Sequence, residues 1–286
     1  MTPIEQSLIA KNPRKKSEDG IVVTDDFVAV IDGSTSKSTL RHSLFRSNGR
    51  YCMQLVSHYI RHAPKGITCA AFCRGVTAYI RRHYRRSLLS QLTQHPEDRL
   101  CASAVIFSRL NREVWLIGDC HCLLTPLSVT GHEDLQPLYY DNPKPYEQQL
   151  AEERAAVLRS LFTPEQLRRP LPLSDKGDPI ADPGRERIIP HMKETMKQQN
   201  IQYSVIDGFP IPMQHVRIIT LDFRPWEIVL ASDGYPFLES TLAASEERLA
   251  QQRKNDPLNL GHFKATKSFL PNNSSFDDRA YIRFRI

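Results

Sequence analysis

Four aspartate positions sit at the ends of apolar runs. Val28 to Gly33 reads VAVIDG, Val114 to Asp119 reads VWLIGD, Ile228 to Gly234 reads IVLASDG, and Asp277-Asp278 opens into AYIRFRI. A fifth acidic stretch, Ser17-Glu18-Asp19-Gly20, lies just before the first run. A buried strand that delivers a carboxylate to its end, beside a glycine that lets the chain bend, is a common way to hold a metal or a phosphate. Hard divalent cations such as Mg²⁺ and Mn²⁺ take oxygen ligands in near-octahedral array. Two of them can share a bridging carboxylate and activate water for attack on phosphorus. Such a centre needs several carboxylates at strand ends and no sulfur. Glu18, Asp19, Asp32, Asp119, Asp233 and Asp277 stand in those positions.

The elements that must position these residues follow from periodicity. Residues 21–23 and 27–31 are β-branched runs separated by a Thr-Asp-Asp turn, a hairpin signal. Residues 49–62 and 68–89 repeat apolar positions at three- and four-residue steps, which predicts two helices, with Thr68 as the second N-cap. Residues 102–110 and 113–117 form another antiparallel pair across a two-residue connection, and 120–125 and 137–140 add shorter strands. A helix over 146–162 precedes Thr163-Pro164-Glu165-Gln166, a capping-box pattern with proline at the first helical position. A helix over 185–199, strands over 201–206, 216–221 and 227–231, a helix within 242–254 and a last strand over 280–286 complete the chain. Residues 34–48, 170–184 and 255–276 read as irregular, and residues 1–16 as a polar, basic lead-in whose first 13 residues are flexible. Hairpin connections outnumber parallel crossovers, so the fold class is α+β, built as one domain over residues 1–286.

The order of these motifs resembles that of the type 2C metal-dependent serine/threonine protein phosphatases, the PPM family, in a divergent, bacterial-like form. RKKSED is similar to the family's first motif, VAVIDGS to its second, SAVIFSRLNREVWLIGD to its central hairpin, EIVLASDGYPFL to its Ala-Ser-Asp-Gly motif, and SSFDDRAYIRF to its closing motif. The resemblance covers about residues 14–286. It implies two antiparallel sheets packed face to face with flanking helices, a four-layer α-β-β-α sandwich. It further implies two Mn²⁺ or Mg²⁺ ions, with a third possible. Asp32 would bridge two of them and Gly33 would offer its carbonyl to one. Asp233 and Asp277 would hold the other, and Glu18, with Asp19 close by, would sit on the Gly33 side. Asp119 would match an acidic position that supports a third ion. Arg14 would clamp the substrate phosphate, a task suited to a guanidinium fork. The activity implied is dephosphorylation of phospho-Ser/Thr in proteins by direct attack of a metal-bridging hydroxide.

Two stretches depart from the family. Ser34-Thr35-Ser36 follows Asp-Gly where the family often has a His or Met and a glycine pair, so protonation of the leaving group falls to water or to a residue such as His42. YSVIDGFPIP replaces the family's Arg-x-x-Gly-Asp stretch. These departures leave a second reading, a pseudophosphatase that keeps the fold as a metal- or partner-binding module.

Bulk properties narrow the partners. A net charge of +6 and a pI near 9.0 allow an acidic or phosphorylated partner. The arginines between 81 and 86 come with no RNA- or DNA-binding motif and read as a solvated helix face, so nucleic acid is not an expected partner. Cys120-His121-Cys122 lacks a second ligand pair at zinc-site spacing and alternates faces on a strand. His58 and His62, one helical turn apart, lack the glutamate of a HExxH motif and read as helix-surface or core residues. No run of 18 apolar residues is present, and the first residues carry no apolar export segment, which together predict a cytoplasmic protein with no membrane partner.

Overall fold

The protein is described by a computed structural model covering residues 1–128, 136–174 and 180–286. Two five-stranded sheets, antiparallel in every pairing, lie face to face. One is ordered β2 (Gly20–Val23), β3 (Phe27–Gly33), β4 (Ala102–Ser108), β5 (Glu113–Ile117) and β8 (Arg217–Thr220). The other is ordered β1 (Glu5–Ile9), β10 (Arg279–Arg285), β9 (Trp226–Ala231), β6 (His121–Pro126) and β7 (Leu138–Tyr140).

Alternation along β3 explains why its apolar run is unbroken. Val28 and Val30 point between the sheets, where they meet Val105, Leu116, Ile228, Ile282 and Phe284. Phe27, Ala29 and Ile31 point the other way, into a core shared with α1 (Asn48–His62) and α2 (Cys69–Arg81). Both faces of the strand are covered, so polar residues have no place on it until its end at Asp32. On the far side, Val229, Ala231 and Tyr281 of the second sheet pack against Tyr235, Leu238 and Leu242 at the start of α6 (Leu242–Asn255). The layers therefore run α-β-β-α, as the motif order implies.

Further helices are the short α3 (Leu89–Gln94), α4 (Glu147–Leu161) and α5 (Pro183–Met196). Asp182 caps α5 by accepting from Arg185 N at 2.9 Å, and Pro183 opens it, where a missing N–H costs nothing. The Thr163–Gln166 box forms with both reciprocal bonds, at 2.8 and 3.3 Å, but opens only a 3₁₀ turn, Gln166–Arg168.

Several expectations are corrected. The presumed flexible lead-in holds β1, an edge strand against β10. Its sequence, EQSLI, shows no apolar alternation because one face is open. Glu5 secures it by binding Arg283 Nη1 at 2.9 Å. The second helix ends at Arg81 rather than residue 89. Tyr84 turns inward, donating to Asp207 O at 2.6 Å and accepting from Leu100 N at 2.8 Å. The strand expected over 201–206 forms no ladder: Tyr203 and Ile206 make only isolated bridges, with Gln199 and Ala102. Asn200 adopts a positive φ just before it and binds Asp207, which bends the segment away from the ladder.

All six cysteines are free and buried. Cys120 and Cys122 face the core between the sheets, while His121 faces Tyr139, its Nδ1 2.9 Å from the hydroxyl. Burial pushes the His121 imidazole down to about 4. The neutral ring is thus favoured by the fold, and stability is lost as pH falls from 6.5, the ordinary value, toward 4. Between pH 7 and pH 5 this site alone should cost about 2 kcal/mol. Comparing urea midpoints of wild type and His121→Gln at the two pH values isolates it. A wild-type minus variant difference that does not shrink at pH 5 would contradict the burial of a neutral ring. No helix among the described residues is long and apolar enough to cross a membrane.

Candidate metal centre

Asp32 and Gly33 end β3, level with Ser103 and Ala102 of β4. The backbone of Gly33 lies against the first turn of α1. A Cβ there would come closer than 3.0 Å to backbone oxygens of Gly49 and Glu18. Gly33→Ala should therefore destabilise the protein by about 2 kcal/mol through enforced backbone shifts. Chemical denaturation checks this, and an unchanged midpoint would show that α1 can withdraw freely.

Asp119 follows β5 through Gly118, whose φ of 86° turns the chain beside Ser103. Ser103 Oγ donates to Asp119 Oδ1 at 2.5 Å, and Lys144 Nζ donates to Oδ2 at 2.5 Å. Burial opposes the carboxylate, but the Lys144 ammonium and the two hydrogen bonds outweigh it, and the pKa falls below the ordinary value. Asp233 sits in the turn leaving β9, and Asp277-Asp278 enters β10. The β9–β10 register, Ala231 opposite Tyr281, places these two segments side by side. Ser232 bonds both ways with Ala280, at 3.1 and 2.9 Å, and holds them there.

Asp32, Gly33, Asp119, Asp233 and Asp277 line one cavity. The charge is concentrated. Burial first, then Asp233, Asp19 and Asp119, lifts the Asp32 carboxyl well above its usual range. Burial and Asp119 raise Asp233 to about 7. Glu18 and Asp19 lie behind this wall. Glu18 Oε2 accepts from Thr35 Oγ1 at 2.5 Å, and Glu18 N donates to Asp278 Oδ2 at 2.7 Å. Glu18 Oε1 and both Asp19 carboxylate oxygens are buried without a hydrogen-bond partner. Asp19 is raised to about 7, chiefly by that burial. Asp278 also accepts from Lys11 N at 2.7 Å, so it ties the N-terminal segment to the last strand.

Two expected residues lie elsewhere. The Arg14 side chain is exposed and does not line the cavity; its backbone N–H is held by Asn12 Oδ1 at 2.9 Å. His42 Nε2 lies 2.8 Å from Asp98 O, and its ring packs on Tyr84, away from the cavity lining.

Other residues, not singled out by motif, reach the cavity. Glu147, the first residue of α4, places an oxygen within 4.8 Å of oxygens of Asp119 and Asp233. An acid in a helix's first turn ordinarily reads as a dipole complement, so its sequence signal is weak. Lys11 Nζ lies 2.8 Å from Asp277 Oδ1, and Lys267 pairs with Asp277 Oδ2. Lys37, Lys144 and Arg185 complete the cationic lining. Burial and then neighbouring Lys11 lower Lys267 to about 8. Burial lowers Lys37 well below its ordinary value, reinforced by Arg185, Lys267 and Lys11.

The residues present suit a divalent cation. The acidic side chains there are carboxylates, the oxygen donors preferred by Mg²⁺ and Mn²⁺. Buried oxygens without partners are costly unless something else satisfies them. Like charges this close repel unless a cation lies among them.

No protein-family model and no curated protein matches the chain. Solved structures with a similar course do. The catalytic domain of the serine/threonine protein phosphatase PstP, in complex with two manganese ions, shares 14% identity at a TM-score of 0.48, over 99% of this chain and 97% of that one. Stp1 of Staphylococcus aureus, a serine/threonine phosphatase, shares 15% at 0.44, over 100% and 96%. The PPM Ser-Thr phosphatase MsPP of Mycobacterium smegmatis, in complex with cacodylate, shares 13% at 0.46, over 99% and 98%. These are proteins of the class that the sequence motifs resemble. At such likeness the functional reading rests on this chain's own residues.

Proposed function

We propose that the protein is a Mg²⁺- or Mn²⁺-dependent phosphomonoester hydrolase that removes phosphate from phospho-Ser/Thr of proteins. The observation that carries this is the cavity itself, where strand-end carboxylates from four separate stretches lie among four lysines and an arginine. Asp32, the Gly33 carbonyl, Asp233 and Asp277 would hold the ions, with Glu18 and Asp19 behind them and Asp119 and Glu147 on the Asp233 side. Bound there, divalent cations would neutralise phosphate charge and ease deprotonation of a water nucleophile.

The chain's own groups supply the rest. Lys144 holds Asp119 ionised and oriented from the α4 side. Lys11 and Lys267 orient the Asp277 carboxylate through its two oxygens. The cations among the carboxylates attract a phosphate dianion into the cavity. With His42 turned toward Asp98 and a serine at position 34, protonation of the leaving oxygen falls to water or to another group lining the cavity.

Purified protein assayed on p-nitrophenyl phosphate with Mn²⁺ tests the activity, and phosphoserine and phosphothreonine peptides test the substrate class. Turnover that a chelator abolishes is expected. Absence of turnover, or turnover indifferent to chelator, would contradict the reading.

A further inference from the structure

Lys37 and Arg185 approach the cavity from opposite parts of the chain. Lys37 lies in the loop after β3, and Arg185 in the first turn of α5. Each is anchored through an uncharged oxygen: Lys37 Nζ donates to Thr35 O at 2.7 Å, and Arg185 Nη1 to Thr266 O at 2.6 Å. Among the described residues neither forms an ion pair within 4.0 Å, whereas Lys11, Lys144 and Lys267 each pair with a cavity carboxylate. Both line the same cavity, which Lys11 and Lys267 also line. Holding half-buried cations that no carboxylate contacts costs free energy, which a bound anion returns.

We propose that Lys37 and Arg185 form the phosphate-binding pair of this site, the role that motif resemblance assigns to Arg14. The proposal rests on the hydrolase reading. A lysine supplies a mobile point charge and an arginine a planar fork, a combination suited to a tetrahedral dianion. Arg185 also makes α5 part of the substrate wall, because its guanidinium is anchored to the 256–270 segment at Thr266.

Inorganic phosphate titrated calorimetrically into the intact protein with Mg²⁺ present reads the pair without reference to turnover. Lys37→Gln and Arg185→Gln are each expected to weaken phosphate binding by about 10- to 100-fold, the loss typical of one charge-assisted hydrogen bond. They should raise the KM for p-nitrophenyl phosphate in parallel. Arg185→Lys should fall between wild type and Arg185→Gln. Lys37 lies in a loop, so its variant keeps the test meaningful if Arg185→Gln unfolds. Phosphate binding that depends on Lys37 and Arg185 in a protein without turnover would support the pair while refuting the hydrolase reading. Turnover with phosphate affinity unchanged in both variants would refute the pair alone. A larger loss from Arg14→Ala than from either variant, or no phosphate binding by wild type, would also overturn it.

Discussion

Asp32→Asn should reduce phosphomonoester hydrolysis by about 1,000-fold or more and at the same time stabilise the metal-free protein. The two effects have one cause. Burial first, and then Asp233, Asp19 and Asp119 beside it, hold the Asp32 carboxyl well above the ordinary range. Without cations the fold bears that repulsion. An amide keeps the shape and removes the charge, and with it the ligand on which the centre turns. Thermal scans in chelator should show a rise of about 2–5 °C for a gain of 1–2 kcal/mol. Added Mn²⁺ should raise the wild-type midpoint and leave that of the variant nearly unmoved. A variant that loses activity and is also less stable in chelator would show that Asp32 is a structural residue.

The second large effect lies away from the carboxylates. Arg154, fully buried on α4, donates to Asp182 Oδ2 from Nε at 3.0 Å and from Nη2 at 2.7 Å. It also donates to Leu258 O at 2.9 Å, to Ala265 O at 2.8 Å and to Ser268 Oγ. One guanidinium thereby joins α4, the cap of α5 and the 256–270 segment. Burial alone would raise Asp182, but Arg154 and the hydrogen bonds hold its pKa below the ordinary value. Arg154→Met leaves that carboxylate buried and two carbonyls without donors. The expected loss is about 3–5 kcal/mol, a fall of roughly 10 °C in Tm. Adding Asp182→Leu should recover part of the loss, since removing both charges is cheaper than stranding one. α4 carries Glu147 and α5 carries Arg185, so residual folded protein should also show a raised KM. A midpoint within 2 °C of wild type would mean that water reaches Asp182 freely.

How far the chain could be read depended on burial. Strand β3 was legible because both its faces are covered, so an apolar run had to stop where Asp32 begins. The same logic exposed Asp119, Asp233 and Asp277. Edge strand β1 was not legible, because an edge with one open face needs no apolar pattern. The segment at 201–206 has strand composition, but Asn200 and Asp207 spend its backbone on a turn. The cations were the least visible. Lys37, Lys144, Lys267 and Arg185 lie in loops or at a helix start, where no periodicity separates a cavity lysine from a solvated one. Motif resemblance pointed to Arg14, which the fold leaves on the surface, because distance along the chain says little about which way a loop residue turns.

Diffraction from Mn²⁺-soaked crystals at the manganese absorption edge tests the metal centre most directly. Anomalous peaks within bonding distance of Asp32, with Asp233 or Asp277 completing the same coordination shells, are predicted. Full soaking with no peak at Asp32, or peaks confined to surface carboxylates, would contradict it.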